Sequence, residues 1–285
     1  MEQTHLDFAT IFPDKRESGE NSLRQCQLIM LRMLKIFDML CTKHDVKYFL
    51  TGGTLIGAVR HHGFIPWDDD LDVGMTRDNY EKFLQKCVPE LPNDIFFQNP
   101  DTDPHYPQTS NVDARLRDKY SSYKHKNGHQ NKWHEGMQVD IFVYDKSYLP
   151  HNFFVVSQNK FLRLFKNSRK RAHIQKFIAN YIPLPFVYSS NFLQSYSQLG
   201  MGTYITSEEY SRLVRTKFED MHALIPEKFD SYLRRQYGEY MQQPPEEKRV
   251  SHHHVNVDPF TPCEHPSVLH WNERRKNTEY PPKSV

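Results

Sequence analysis

The feature that most constrains this chain is a pair of adjacent glycines, Gly52 and Gly53, placed between an apolar run and an Asp-Leu-Asp segment at residues 70–72. Apolar residues alternate with these acids, which is typical of a short strand whose alternate side chains share a face. Asp70 and Asp72 are therefore predicted to point the same way. The pattern predicts a strand, a glycine turn, a short helix and an acidic strand in one α/β unit.

Two carboxylates on one face repel each other by roughly 4 kcal/mol at about 4 Å and an effective dielectric near 20. A divalent cation would offset this repulsion, and Mg²⁺ prefers carboxylate oxygens together with substrate phosphates. Adjacent glycines let backbone amides approach a phosphate closely. The residues themselves therefore predict metal-assisted phosphoryl or nucleotidyl transfer, with Mg²⁺ or Mn²⁺ as the cofactor.

At 285 residues, the chain can bury a substantial core in one large domain or two small ones. We expect a polar extension over residues 1–21, a catalytic domain over 22–255 and a Pro- and His-rich tail over 256–285. The net charge of +2 gives no global argument for binding nucleic acid, and no nucleic-acid partner is expected.

The N-terminus lacks the basic and apolar regions of a signal peptide, and no stretch approaches the ~20 apolar residues of a membrane span. A cytoplasmic location is the default expectation, with Golgi or ER association through partners as the alternative. No acidic residue lies between Asp145 and Glu208, where many basic residues occur. This window is either a solvated helix face or a surface that attracts an anionic ligand.

Hydrophobic periodicity and turn residues predict the order of the elements. The predicted helices cover residues 22–44, where Ser22 is the expected cap, 54–62, 76–88, 152–178 and a segment opened by Pro226 that runs to 238. The predicted strands cover residues 46–50, 70–75, 95–98, 112–117 and 137–144.

This arrangement resembles the nucleotidyltransferase fold shared with DNA polymerase beta, in which a third acid lies on a neighbouring strand. Asp140, among apolar residues, is the candidate. The string at residues 52–73 closely resembles the LicD family, which includes bacterial phosphorylcholine transferases and the animal proteins fukutin and fukutin-related protein. Three further landmarks agree with it, namely Arg-Leu-Arg-Asp at 115–118, Gly-Met-Gln-Val-Asp-Ile-Phe at 136–142 and Tyr-Gly-Glu-Tyr-Met at 237–241.

The resemblance implies an α/β (α+β) fold with a mixed sheet, flanking helices and a C-terminal helical region. It also implies a transferase that moves phosphocholine or phosphoribitol from a CDP-linked donor, or another nucleotide-diphosphate donor, to a hydroxyl of a glycan or glycolipid. Two alternatives stay open. One is a nucleotidyltransferase that attaches a nucleoside monophosphate to a small molecule or protein, and the other is a non-catalytic module that binds nucleotide or glycan.

Four acids are the candidates for metal binding. Asp70 and Asp72 are expected to hold the ion, and Asp68 either joins them, supports them or caps a turn. Asp140 either ligates metal, accepts the proton of the acceptor hydroxyl, or is a structural acid paired with an arginine. Asp69 is expected to face away from the site and to contact solvent.

The candidate substrate-binding residues are Gly52, Gly53, Thr54, Arg60 and Arg117. The glycine turn is expected to position the donor. Arg60 neutralises an acid or reaches a phosphate, or is a surface charge. Of two arginines that share a face of one strand, Arg117 is expected to bind phosphate, because a guanidinium contacts phosphate in bidentate fashion. A salt bridge to a neighbouring aspartate is the alternative.

Overall fold

The computed structural model describes residues 7–103, 105–106, 112–125, 133–147, 192–195, 204–250 and 254–263. The helices in this part of the chain are α1 (Phe8–Ile11), α2 (Ser22–Lys43), α3 (Gly52–Arg60), α4 (Arg77–Lys86), α5 (Ser207–Tyr210) and α6 (Phe229–Tyr237). Single 3₁₀ turns cover Arg16–Ser18, Val88–Glu90 and Glu246–Lys248.

The strands are short, except for one that runs through the middle of the main sheet. They are β1 (Phe49–Leu50), β2 (Asp72–Thr76), β3 (Ile95–Gln98), β4 (Ala114–Asp118), β5 (Ser122–His125), β6 (Gln138–Ser147), β7 (Phe192–Ser195), β8 (Tyr204–Thr206), β9 (Leu213–Phe218), β10 (Met221–Pro226) and β11 (His254–Asp258).

A mixed sheet forms the centre of the fold. Its strand order is β1-β2-β6-β4-β3, and β7 and β8 extend it from the far end of β6. Strands β2 and β6 are parallel, whereas their other neighbours in this sheet pair antiparallel. Two antiparallel ribbons, β9–β10 and β5–β11, lie beside it. The predicted mixed α/β architecture is confirmed.

Helix α2 supplies much of the hydrophobic core. Its side chains at Leu34, Phe37 and Leu40 are fully buried, and burying a side chain of this size contributes about 1.5–3 kcal/mol. The helix was predicted at nearly these bounds, but its cap is Asn21 and not Ser22. The Asn21 side chain accepts a 2.9 Å hydrogen bond from the backbone N–H of Arg24, as an N-cap residue should.

Several element boundaries differ from the prediction. The glycine pair belongs to α3, which begins at Gly52 and not at Thr54. Pro226 ends strand β10, and α6 begins only at Phe229. The strand at Ile95–Gln98 is confirmed, and the predicted helix 76–88 is α4, which buries Tyr80, Phe83 and Leu84. The hairpin β9–β10 was not predicted, and the predicted helix 152–178 lies outside the described residues.

Both described ends of the chain pack against the domain. Arg16 donates hydrogen bonds to Asp118 on β4 and to the carbonyl of Pro259. Strand β11, within which the predicted tail begins, pairs with β5. Within the ranges given above, no helix is long and apolar enough to span a membrane.

Candidate active site

The parallel pairing of β2 with β6 brings two of the predicted acids to the same level of the sheet. Asp72 is the register partner of Asp140. The backbone N–H of Asp140 donates a 2.8 Å hydrogen bond to the carbonyl of Leu71, and the N–H of Thr51 donates a 3.2 Å bond to the carbonyl of Asp72. Hydrogen-bonded backbone therefore fixes the positions of both acids.

The start of α3 lies against the acids, and two glycines make this approach possible. Gly52 has a φ of +59°, and a Cβ at this position would lie 2.5 Å from Asp72 Oδ2. A Cβ on Gly53 would lie 2.9 Å from Asp68 Oδ2. The backbone N–H of Asp72 also donates a 2.8 Å hydrogen bond to Thr54 Oγ1. The structure thus brings the glycine pair, Thr54 and two of the acids together.

The acids create an excess of negative charge at this edge. Burial raises the pKa of the Asp72 carboxyl well above its usual value, and the charges of Asp70, Asp140 and Asp68 raise it further, while Arg115 opposes them. Like charges close together disfavour ionisation of each. Among the residues described, no group of three or more His, Cys, Asp or Glu side chains is arranged to hold a metal ion.

Arg115 is the basic residue nearest to these acids. It is the register partner of Asp140 on the adjacent antiparallel strand. Its guanidinium donates hydrogen bonds of 2.8 Å and 3.4 Å to the two carboxylate oxygens of Asp140 and lies over the Tyr106 ring at 5.5 Å. The arginine pairing considered for Asp140 is therefore present, and its role as a metal ligand or base stays a prediction.

Arg117, the arginine predicted to bind phosphate, is 2% exposed. Its Nε donates a 2.7 Å hydrogen bond to Gln98 Oε1, and a terminal nitrogen donates another of 2.7 Å to the carbonyl of Gly136. Burial and the charge of Arg115 lower its pKa to about 9. The structure therefore gives Arg117 two acceptors within the protein, and its binding to phosphate stays a prediction.

Arg60, the other predicted substrate-binding arginine, contacts the segment that follows α6. It donates hydrogen bonds of 2.6 Å to the carbonyl of Tyr240 and 3.3 Å to that of Gln242. Partial burial and the charge of Arg249 lower its pKa. Arg249 lies over the Trp67 ring at 5.6 Å. These contacts tie the C-terminal end of α3 to this segment, and the binding of substrate by Arg60 stays a prediction.

The expectation that Asp69 faces solvent was wrong, because this residue is 1% exposed. The strand predicted from residue 70 begins only at Asp72, so Asp69 and Asp70 lie in the preceding loop and strand alternation does not set the direction of the Asp69 side chain. Helix α2 contacts this loop, where Gln27 Nε2 donates a 2.9 Å hydrogen bond to the carbonyl of Asp68.

Three buried hydroxyl groups meet beneath the start of α3, and the sequence did not reveal them. Thr51 Oγ1 lies 2.8 Å from the hydroxyl of Tyr232 on α6 and 3.2 Å from that of Tyr144 on β6. Thr51 and Tyr232 are 181 positions apart, so no local spacing could have indicated this contact.

Of the histidines near the C-terminus, His254 begins β11, whereas His252, His253 and His265 lie outside the described residues. Cys263 accepts a 3.2 Å hydrogen bond from the backbone N–H of Glu135. Cys26 and Cys41 are buried in the core.

Comparison with known families agrees with this geometry. Residues 45–228 match the model of the family described as LicD/FKTN/FKRP, nucleotidyltransferase domain. The chain belongs to the LicD family. The matched residues include the glycine pair and all four candidate acids, Asp68, Asp70, Asp72 and Asp140.

The lipopolysaccharide cholinephosphotransferase LicD of Haemophilus influenzae is 30% identical over 278 residues, which cover 81% of this chain and 96% of that protein. Ribitol 5-phosphate transferase FKRP of mouse and of human is 57% identical over 30 residues, which are 10% of this chain and 6% of those proteins. An uncharacterised Rickettsia prowazekii protein is 44% identical over 76 residues, 27% of this chain and 26% of that protein. The chain is accordingly a phosphotransferase of the LicD family.

Proposed function

We propose that this LicD-family enzyme is metal-dependent and transfers a phospho-substituent, phosphocholine or phosphoribitol, from a CDP-linked donor to a hydroxyl of a glycan. The observation that supports the proposal most strongly is the edge where Asp72 and Asp140 share a register position and the start of α3 lies against them. The donor and acceptor classes follow the printed names of the relatives, LicD and FKRP.

The acids fit a divalent cation by the chemistry of their donor set. Asp68, Asp70 and Asp72 are each half-buried, and the charges of Asp70 and Asp68 contribute to the raised pKa of Asp72. Mg²⁺ is commonly bound by one or two carboxylates together with substrate phosphates, without a cage made of protein alone. Asp70 and Asp72 would hold the ion together with the donor phosphates, and Asp68 and Asp140 stay the candidates for a further ligand.

In this proposal, the first turn of α3 binds the donor. Backbone amides at a helix start and the positive end of the helix dipole both favour a phosphate, and the glycines let this helix start lie directly against the acids that would hold the cation. Arg115 faces the acids and can contact a phosphate oxygen as well as Asp140. When bound, the cation would neutralise the negative charge that develops as CMP leaves.

The transfer itself needs no covalent intermediate on the enzyme. The acceptor oxygen bonds to the phosphorus of the head group, and the bond from this phosphorus to the bridging oxygen breaks and releases CMP. Asp140 is proposed to take the hydroxyl proton or to complete the metal site. A carboxylate has about four lone-pair positions, so the two hydrogen bonds from Arg115 leave room for either role.

The test is a panel of CDP-, UDP- and GDP-linked donors with Mg²⁺ or Mn²⁺, scored by release of free nucleotide and by the mass of the product. We expect CMP release from CDP-choline or CDP-ribitol and a product that gains the phosphorylated head group. A product that gains a nucleoside monophosphate would instead support nucleotidyl transfer. Binding of donors without turnover of any of them would contradict an enzymatic role.

A further inference from the structure

Thr51 occupies the N-cap position of α3 without capping it. Its backbone is extended, with φ −134° and ψ 178°, which is the conformation from which a threonine hydroxyl accepts a hydrogen bond from the second or third amide of its helix. These amides belong to Gly53 and Thr54. Within the described structure, the Thr51 side chain makes no such capping hydrogen bond.

The Thr51 hydroxyl instead contacts the hydroxyl groups of two tyrosines. Thr51 Oγ1 lies 2.8 Å from the Tyr232 hydroxyl and 3.2 Å from the Tyr144 hydroxyl. All three residues are 1% exposed or less, so water does not compete for these contacts. The tyrosines come from α6 and β6 respectively.

We propose that Tyr232 and Tyr144 are positioning residues that keep the Thr51 hydroxyl away from the first turn of α3 and so reserve the Gly53 and Thr54 amides for the donor's diphosphate. The inference rests on the proposed function for the identity of this ligand. A self-capped helix would have to break its own hydrogen bond before it could bind a phosphate, which lowers the affinity for the donor.

The size of the effect follows from the strength of a threonine cap, which favours the capped helix by about fivefold. The lost affinity applies equally to the bound donor and to the transition state, because the diphosphate contacts the amides in both. The Michaelis constant for the donor should therefore rise while kcat stays constant.

The decisive variants are Tyr232→Phe and the double variant Tyr232→Phe/Thr51→Val. In Y232F, a crystal structure should show Thr51 Oγ1 within hydrogen-bond distance of the Gly53 or Thr54 nitrogen, and KM for CDP-choline should rise about fivefold. In the double variant, valine has no hydroxyl to compete for the amides, so KM should return to the wild-type value. If Y232F does not fold, Y144F tests the same prediction.

Tyr48→Phe is the matched control. Tyr48 is fully buried, and its hydroxyl donates a 2.7 Å hydrogen bond to Asp38, away from α3. This variant should lose stability and keep the wild-type KM.

Any of three results would overturn the positioning role. They are a Thr51 side chain that has not moved in Y232F, a KM of Y232F equal to that of the wild type, and a double variant whose KM is higher than that of Y232F. Wild-type enzyme that releases no CMP from any CDP-linked donor would contradict the proposed function instead. The position of Thr51 in Y232F does not depend on the donor, so the two failures are distinguishable.

Discussion

Two aspartates of the central sheet, Asp118 and Asp72, lie in opposite surroundings. Asp118 is 1% exposed, and its carboxylate accepts hydrogen bonds of 2.9 Å and 3.2 Å from Arg16. Burial raises the pKa of Asp118, but the positive charge of Arg16, which is the largest charge effect on this carboxyl, opposes the rise. Burial also raises the pKa of Asp72, but here three other aspartates raise it further.

We interpret the difference as that between a structural acid and an acid with the function proposed above. The protein supplies Asp118 with a cation of its own, and the resulting pair joins the N-terminal segment to β4. At Asp72, by contrast, acids outnumber bases, so the arrangement costs stability until a ligand brings positive charge. An acid whose pKa is raised by burial and by neighbouring acids is a candidate for function on these grounds.

The largest expected effect comes from removing one acid of the functional group. Asp70→Asn should lower turnover of the donor by about 10⁴-fold or more, which is about 5.5 kcal/mol of activation free energy, because the cation loses a ligand. Circular dichroism should show an intact fold. The exposed Asp78 offers a control, since D78N should keep full activity. Turnover of D70N at the wild-type rate would remove the basis of the site.

The next effect concerns stability. Asp118→Asn leaves Arg16 buried without its main partner, and loss of one member of a buried ion pair costs about 3–5 kcal/mol. Asp14, 2.6 Å from Arg16, should keep the loss near the lower value. Urea denaturation measures it, and the folded fraction should retain activity. If the free energy of unfolding of D118N falls by less than about 1 kcal/mol, the ion pair with Arg16 is not what distinguishes Asp118 from Asp72.

Adding and removing metal sharpens the same contrast. A ligand that binds only the folded state stabilises it by about 2.7 kcal/mol at a concentration of 100 Kd. Mg²⁺ should therefore raise the melting temperature of the wild type, EDTA should reverse the rise, and D72N should show none. If D72N gains as much stability from Mg²⁺ as the wild type, the ion binds elsewhere.

A smaller effect is expected at Glu209, an acid with basic neighbours. Burial acts to raise its pKa, but hydrogen bonds from Arg235, Ser231 and Thr206 outweigh it and hold the pKa below the usual 4.5. The stability that these contacts contribute is complete above pH 4.5 and is lost as the pH falls through the lowered pKa. Between pH 6 and pH 3, the free energy of unfolding of E209Q should fall by about 1 kcal/mol less than that of the wild type, as measured by denaturation at each pH. An unchanged pH profile would contradict it.

Local patterns predicted the parts of the fold that local physics determines. The period of apolar residues located α2, and the β-branched and aromatic run located Ile95–Gln98. The alternation around Asp70 and Asp72 located the acidic edge. The start of α3 was missed because a glycine pair usually indicates a turn, whereas here the glycines open a helix that passes too close to Asp72 and Asp68 for a Cβ.

The remaining differences depend on contacts between distant segments. Arg115 and Arg117 share a face of β4, and only the register with β6 determines that Arg115 lies opposite Asp140. Similarly, alternation predicted that Asp69 faces solvent, but Asp69 precedes β2 and is covered by protein from distant segments. The pairing of Arg16 with Asp118 joins residues 102 positions apart, for which the sequence carries no local signal.

The central claim is that the edge formed by Asp70 and Asp72 binds a divalent cation. Electron paramagnetic resonance of Mn²⁺ tests it most directly, because the signal of free Mn²⁺ reports how much ion the protein has bound. The account predicts that the wild type removes Mn²⁺ from solution in the presence of CDP, beyond what CDP alone binds, and that D72N does not. Equal depletion of free Mn²⁺ by both proteins would contradict it.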